Sequence, residues 1–569
     1  MKKQKRQETK PAVQAAPVAF PWMPAWWTWL IGLGALFLAF EAYGPALHSP
    51  FVLDDLYLLY TDPTAPSIPL TRWLTFQRPL LMFSYWLNFQ AGATDPHVYH
   101  VTNVVLHFIV SVVVMLIAMR LLAWAGVAGR MRTALGVFSG GIFLLHPLQT
   151  ESVAYVASRS EVLSVLFYYA AFAVFIYSNR DRMTWLRAIS VVVLFGAAAA
   201  TKEHTLTLPA LILLTDFFWR RGGWRKNGAL YALLGLVCVA GAAVVWRILI
   251  SANTAGFRMK DLSPASYFFT QCRVIWVYIR MFFLPFGQNI DPDVPISTGV
   301  FDYGAIYGLI ALLALAAAAW VYRKRWPLAS FGVFVFLLLI APTSTVIPIR
   351  DVLAERRLYL PFLGLILVVL EPLRRLQFAP AVGACAAALL ASTVLTYQRS
   401  DVWSSPLTLW QDSVAKSPNK VRPRFQLAFA QHFQLGDCAA AAGNYEAAAR
   451  METPDYLLLV DWANALECAG KEDDAIQVFA RAVNLNDGRP EAYVGLSAIY
   501  GKQRRLQEAL NVLSRAEALD PGIAQIYVNR GGIYELLGNH VGAISEYRRA
   551  LAVEPANRSA REALRRLGQ

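Results

Sequence analysis

The chain has 569 residues, 56% of them hydrophobic, 13% aromatic and only 16% charged. Its apolar residues crowd ahead of about residue 398, which excludes an ordinary soluble protein and describes a membrane-embedded body with a soluble appendix. The formal net charge of +14 sits largely in short basic connections between apolar segments, so it is a topology signal and argues against nucleic acid as a partner.

Residues 1–20, which include Lys2, Lys3, Lys5 and Arg6, are expected to be a disordered cytoplasmic tail. The first apolar segment lacks a small-residue cleavage site and reads as a retained signal anchor. Within 21–398, segments near the roughly 20 apolar residues of a membrane helix fall at 26–43, 98–122, 134–148, 162–177, 186–200, 205–219, 228–250, 302–321, 328–348, 359–373 and 378–397. The expected fold is all-α: a polytopic membrane domain of about eleven spans followed by a helical repeat array.

Lysine and arginine stay on the cytoplasmic side. With the N-terminus inside, the basic connections Arg130/Arg132, Arg180/Arg182, Arg220/Arg221/Arg225/Lys226, Arg323/Lys324/Arg325 and Arg374/Arg375 all fall on that side too. An odd number of spans then leaves the C-terminus outside. Segment 267–285 is apolar but carries Gln271, Arg273 and Arg280 at helical spacing, so it is expected to lie along the outer surface or to re-enter.

After a linker helix at 399–420, the texture changes to alanine, leucine and charge with a period of about 34 residues. Ala441, Ala475, Ala509 and Ala543 keep that interval, as do Ala448, Ala482, Ala516 and Ala550. Gly436, Gly470 and Gly538 share a phase, with Arg504 in the fourth slot. These are tetratricopeptide repeats over 421–569, about four of them plus a capping helix, with a concave face suited to an acceptor peptide or protein. Cys438 and Cys468 occupy helix ends that should face each other, either as a disulfide in an extracytoplasmic domain or as two reduced thiols. No cysteine or histidine spacing reads as a metal site.

The connections assigned to the outer side carry ionisable residues, which are costly beside a membrane unless paired or functional. They are Asp54-Asp55; the run from His146 through Glu151 to Arg159 and Glu161; Lys202-Glu203-His204; and Glu355-Arg356-Arg357 leading to Tyr359. Clusters so distant in sequence at one membrane depth form the wall of one site. A carboxylate at Asp54 or Asp55 suits removal of a proton from an acceptor hydroxyl. Arg356, Arg357, Arg159 and Lys202 suit an anionic lipid phosphate, because a guanidinium grips it as a planar fork and an ammonium as a point charge. Each Glu–cation neighbour pair also has a plain structural reading, as a lock on a helix end.

These motifs resemble the transmembrane and tetratricopeptide repeat-containing O-mannosyltransferases, of the glycosyltransferase class C superfamily. The resemblance is carried by Phe51-Val52-Leu53-Asp54-Asp55, the run from His146 to Glu161, Lys202-Glu203, the stretch Ala354 to Pro361, and the C-terminal repeats. It implies transfer of mannose or another hexose from a polyprenyl-phosphate donor to Ser or Thr of an extracytoplasmic protein. Asp54 or Asp55 would be the base; His146, Glu151, Glu161, Glu203, Glu355 and Tyr359 would shape the sugar and acceptor site. Lipid-phosphate donors in that superfamily generally need no metal, whereas lipid-pyrophosphate donors often do, so the resemblance leaves a divalent cation open. The alanine- and arginine-rich texture and short loops point to a bacterial inner membrane, with the repeats in the periplasm. Two rival expectations keep the fold: an envelope glycan or lipid as acceptor, or a non-catalytic membrane-anchored scaffold.

Overall fold

The computed structural model describes residues 25–62, 64–75, 78–178, 183–220, 223–251, 256–257, 259 and 262–569. The tail 1–20 and the basic residues Arg180, Arg182 and Arg221 lie outside the described residues. Every element described is helical. Two compact units are present: the chain through Gln288 with Pro295–Ser404, and Asn289–Val294 with Ser405–Gln569.

Among the described residues of the first unit six helices are long and apolar enough to cross a membrane: Trp29–His48, Pro96–Trp124, Val156–Ile176, Gly228–Arg247, Asp302–Lys324 and Phe378–Val402. Trp185–Thr201, Pro327–Thr343 and Phe362–Leu373 are shorter apolar helices. The other two expected segments form Gly129–Leu145 and Leu208–Trp219. At about 1.5 Å per residue a twelve-residue helix reaches only about 18 Å, and several of these helices are extended by 3-10 turns such as Glu203–Thr207 and Glu355–Leu358. Those turns are where the polar residues of interest gather.

Close packing follows from small residues. Gly332 and Gly364 bring Pro327–Ile340 and Phe362–Leu373 together so tightly that an added Cβ at Gly364 would lie 2.5 Å from the Phe336 backbone nitrogen. Segment 267–285 forms Pro264–Phe283, whose buried face carries Tyr267, Gln271, Val274, Tyr278 and Met281, three or four residues apart.

Within 399–420 the chain completes Phe378–Val402 and then forms Pro406–Lys416, capped by reciprocal Ser405 and Thr408 hydrogen bonds. The second unit continues as four helix pairs, from Val421–Ala430 with Cys438–Met451 to Ala524–Leu536 with His540–Val553, and ends in Arg558–Arg566. The alanines recurring in the sequence are the contact points, Ala441, Ala475, Ala509 and Ala543 all being fully buried. The glycine phase has a backbone cause: Gly436, Gly470 and Gly538 have φ of 69°, 77° and 75°. Arg504 occupies the same left-handed conformation at 60°, which costs a non-glycine residue about 1 kcal/mol. Cys438 and Cys468 form a disulfide with Cα atoms 5.7 Å apart, joining the first pair to the second.

Candidate functional site

The Asp54–Asp55 turn is anchored across the chain. Val52 is extended and Leu53 is left-handed, with φ 54°, a strained entry of the kind that clusters at functional sites. It turns the two carboxylates into different surroundings. Asp55 is 1% exposed; it accepts hydrogen bonds from the Ala157 amide at 2.7 Å, the Val52 amide at 3.2 Å and the Tyr60 hydroxyl at 3.2 Å. Asp54 is exposed, and among the described residues nothing donates to its carboxylate; its amide donates to the Tyr155 hydroxyl at 2.9 Å. Tyr155 stacks on Trp403 with ring centroids 6.1 Å apart.

Burial pushes the Asp55 carboxyl up to about 7, against the opposing hydrogen bonds from Val52, Ala157 and Tyr60. The folded chain therefore holds a proton between 3.8, the ordinary value, and about 7 that the unfolded chain releases. This contribution to stability is full below 3.8, declines as pH rises and is gone above about 7. A melting-temperature series over that range should slope downward in the wild type and lose that component in Asp55→Asn; equal slopes would remove the assignment.

The run after His146 supplies two buried carboxylates. His146 takes the Leu148 amide on Nδ1 and donates from Nε2 to the Phe282 carbonyl at 3.0 Å, so its ring fixes the turn that follows. Glu151, 1% exposed, accepts the Arg356 amide at 3.0 Å and also pairs with the Arg356 guanidinium. Glu161 holds the Lys202 ammonium at 2.5 Å and lies 3.5 Å from the His204 ring. Around them, Gln149, Thr150, Ser152 and Ser158 are buried polar residues whose side-chain atoms have no hydrogen-bond partner among the described residues, a density of unsatisfied groups that calls for an explanation.

The third contributor was missed in the sequence. Arg78, left-handed at φ 61°, donates to both oxygens of Glu203, at 3.2 and 3.0 Å from Nη2. Its only local signal is an Arg-Pro step, which loops carry routinely. Burial pulls the Lys202 ammonium below its usual range while Glu161 opposes the shift; the fields of Arg78 and Arg356 both reach it. Burial would raise the Glu203 carboxyl, but Arg78 outweighs it and holds the group below its usual range. Arg356 also acts on Tyr155. One electrostatic neighbourhood thus joins the Asp54 turn, Glu151–Arg356, Glu161–Lys202 and Glu203–Arg78.

The remaining expected site residues are tied into the wall. Arg159 is fully buried, and its nitrogens donate to Asn103, Asn88, the Tyr99 carbonyl and Ser84. Glu355 accepts from Gln288 at 2.8 Å and lies 3.7 Å from Arg399. Arg357 donates to the Tyr267 hydroxyl and to the Asp351 and Val352 carbonyls. The Tyr359 hydroxyl meets His107 Nδ1 at 2.7 Å. An apolar crevice of about 370 Å³ runs beside His146, lined by Phe138, Phe282, Phe286, Ile366 and Leu395 among others. In the repeat unit a groove of about 610 Å³ is lined by Ser497, Asn529, Tyr547, Glu562 and Arg566 among others. No metal-ligand spacing is read in the sequence; in the fold His432 lies beside the Cys438–Cys468 disulfide, the three side chains' donor atoms within 4.8 Å of one another.

Fold and site together define a multi-pass, all-helical chain carrying a tetratricopeptide array and a charged site at its helix ends. The family model "Tetratricopeptide repeat" matches residues 431–492 and 498–562. Over most of its length the chain is similar to proteins named protein O-mannosyl-transferases. One from Caenorhabditis elegans is 24% identical, covering 62% of this chain and 50% of the relative. TMTC3 of Mus musculus is 23% identical, covering 67% and 46% respectively. Tmtc3 of Drosophila melanogaster is 22% identical, covering 76% and 51%. The chain spans about half the length of these relatives.

Proposed function

We propose that the chain is a membrane glycosyltransferase that moves a hexose, mannose by analogy with its relatives, from a polyprenyl-phosphate donor to a Ser or Thr hydroxyl of an extracytoplasmic protein. The observation that carries this reading is the division of labour at the site. One exposed carboxylate, Asp54, has no partner among the described residues; Arg356 acts on Tyr155 beside it, and Arg356 and Arg78 both act on Lys202, each of the three cations held by a buried or half-buried glutamate.

In the proposed step Asp54 takes the proton of the acceptor hydroxyl as its oxygen attacks the anomeric carbon. The bond from that carbon to the phosphate oxygen breaks, and the departing phosphate is received by the cations. A single displacement inverts the anomeric centre and needs no covalent intermediate. General-base help is worth about 10² to 10⁴ in rate, so stabilisation of the leaving phosphate carries much of the rest. The orphaned groups of Gln149, Thr150 and Ser152 suit sugar hydroxyls. The crevice beside His146 suits an isoprenoid tail, and the repeat groove an extended acceptor segment. A disulfide in the repeat unit supports an oxidising compartment, in line with a periplasmic repeat domain, a cytoplasmic N-terminus and a bacterial inner membrane.

The test is a reconstituted assay with polyprenyl-phosphate mannose and a Ser/Thr peptide, read as hexose added to the peptide by mass spectrometry. Arg78→Ala should raise KM for the donor about tenfold, with a smaller effect on kcat, since it removes one charge-assisted contact of about 1.5 kcal/mol. An unchanged donor KM would remove Arg78 from the phosphate site. Hexose appearing on envelope glycan or lipid instead of peptide would change the acceptor.

A further inference from the structure

In the repeat unit His432 lies beside the Cys438–Cys468 disulfide. We propose that, when the Cys438–Cys468 disulfide is reduced, the two thiolates and His432 bind a thiophilic cation of the zinc class, so that the junction between the first two repeats is stapled either by a disulfide or by a metal.

The geometry rests on an irregularity in the first repeat. Its first helix, Val421–Ala430, widens into a π turn over Gln431–Leu435 and stops on left-handed Gly436. Isolated π turns recur at functional sites, because the extra residue re-aims a side chain. Here the turn sets a His432 ring nitrogen within 4.8 Å of both sulfurs. Among the described residues this is the one group of three such ligands found so close together. Nδ1 of His432 is buried without a hydrogen-bond partner among the described residues.

The donor set fits. Two thiolates and one imidazole are what zinc takes, with Zn–S near about 2.3 Å and Zn–N near about 2.0 Å. The Cα atoms of the two cysteines are 5.7 Å apart, so opening the S–S bond to the spacing of two metal-bound thiolates takes side-chain rotation and no backbone displacement. Cys468 is exposed and Cys438 is 6% exposed, so one sulfur is open to attack while the other is sheltered. An exposed disulfide is the kind that exchanges. The chemistry balances: an external dithiol gives up two electrons and two protons to the S–S bond, becomes a disulfide itself and leaves two thiols, and the cation then displaces those two protons. The fourth coordination position falls to solvent on the Cys468 side.

Co²⁺ serves as the spectroscopic stand-in for zinc, using the full chain in detergent, reduced and then freed of reductant without oxygen. The expected result is one equivalent of Co²⁺ taken up with a sulfur-to-cobalt charge-transfer band, reversed by Zn²⁺. The oxidised protein and Cys438→Ser should show no such band, a control that also covers Cys238, Cys272 and Cys385. His432→Ala should keep the disulfide and the melting temperature but weaken Co²⁺ binding about tenfold or more. Either no uptake by the reduced wild type or identical affinity in His432→Ala would overturn the proposal.

Discussion

Asp54→Asn is expected to abolish measurable transfer, by about 10² to 10⁴ in kcat, while leaving thermal unfolding unchanged. The exposed carboxylate accepts no hydrogen bond from the described residues, so its replacement strands nothing. Asp55→Asn should behave differently. An amide keeps one acceptor oxygen where the carboxylate had two, and Ala157, Val52 and Tyr60 all donate to that carboxylate. Losing a buried acceptor costs about 1–3 kcal/mol, and activity falls because the turn that presents Asp54 loosens. Measuring kcat and the unfolding midpoint on both variants separates the roles. Wild-type kcat in Asp54→Asn would remove it as the base, and a folded but inactive Asp55→Asn would pass that role to its neighbour.

The second large effect concerns Arg159. Its guanidinium donates to Asn103 at 2.6 Å, Asn88 at 2.5 Å and the Tyr99 carbonyl at 2.9 Å, and lies 4.6 Å from the Tyr85 ring centroid. Arg159→Leu should destabilise the chain by about 3–5 kcal/mol, the scale for breaking a buried charged network, and should lower the yield of folded protein. Arg159→Lys should recover only part of this, because an ammonium lacks the planar fork that reaches Asn103, Asn88, Ser84 and the Tyr99 carbonyl at once. The informative quantity is donor KM in Arg159→Lys. A residue gripping the lipid phosphate would raise KM with stability intact, whereas a buried girder lowers stability and leaves the KM of the folded fraction alone.

The two arginines show where the sequence is transparent and where it is opaque. Asp54-Asp55 stands out because adjacent carboxylates repel, and nothing local neutralises them. Arg159 stands out as a charge at the head of an apolar segment, but its letter does not tell whether the charge meets a ligand or the protein. Arg78 carries the reverse problem: in a loop it looks ordinary, and it acquires meaning only because Glu203, far along the chain, meets it. The spans show a related effect. The hydropathic stretch 162–177 belongs to a longer helical segment, Val156–Ile176, whose start includes Arg159 and Glu161, because paired or hydrogen-bonded ions can be buried where a hydropathy pattern ends the run. The cysteine pair was placed by repeat phase, but its oxidation and its histidine neighbour were not.

What the residues alone determined is what repeats or alternates locally: apolar runs of membrane length, the basic connections between them, and the spacing of alanine and glycine that fixes both helix contacts and left-handed stops, even where Arg504 breaks the letter but keeps the conformation. What only the tertiary structure decided is which ions neutralise which. Helix periodicity is written into neighbouring residues, whereas the partner of a buried charge is chosen by packing between segments far apart in the chain, 41 residues for Glu161 and Lys202 and 205 for Glu151 and Arg356, and the energy that selects it exists only once water has been excluded from both.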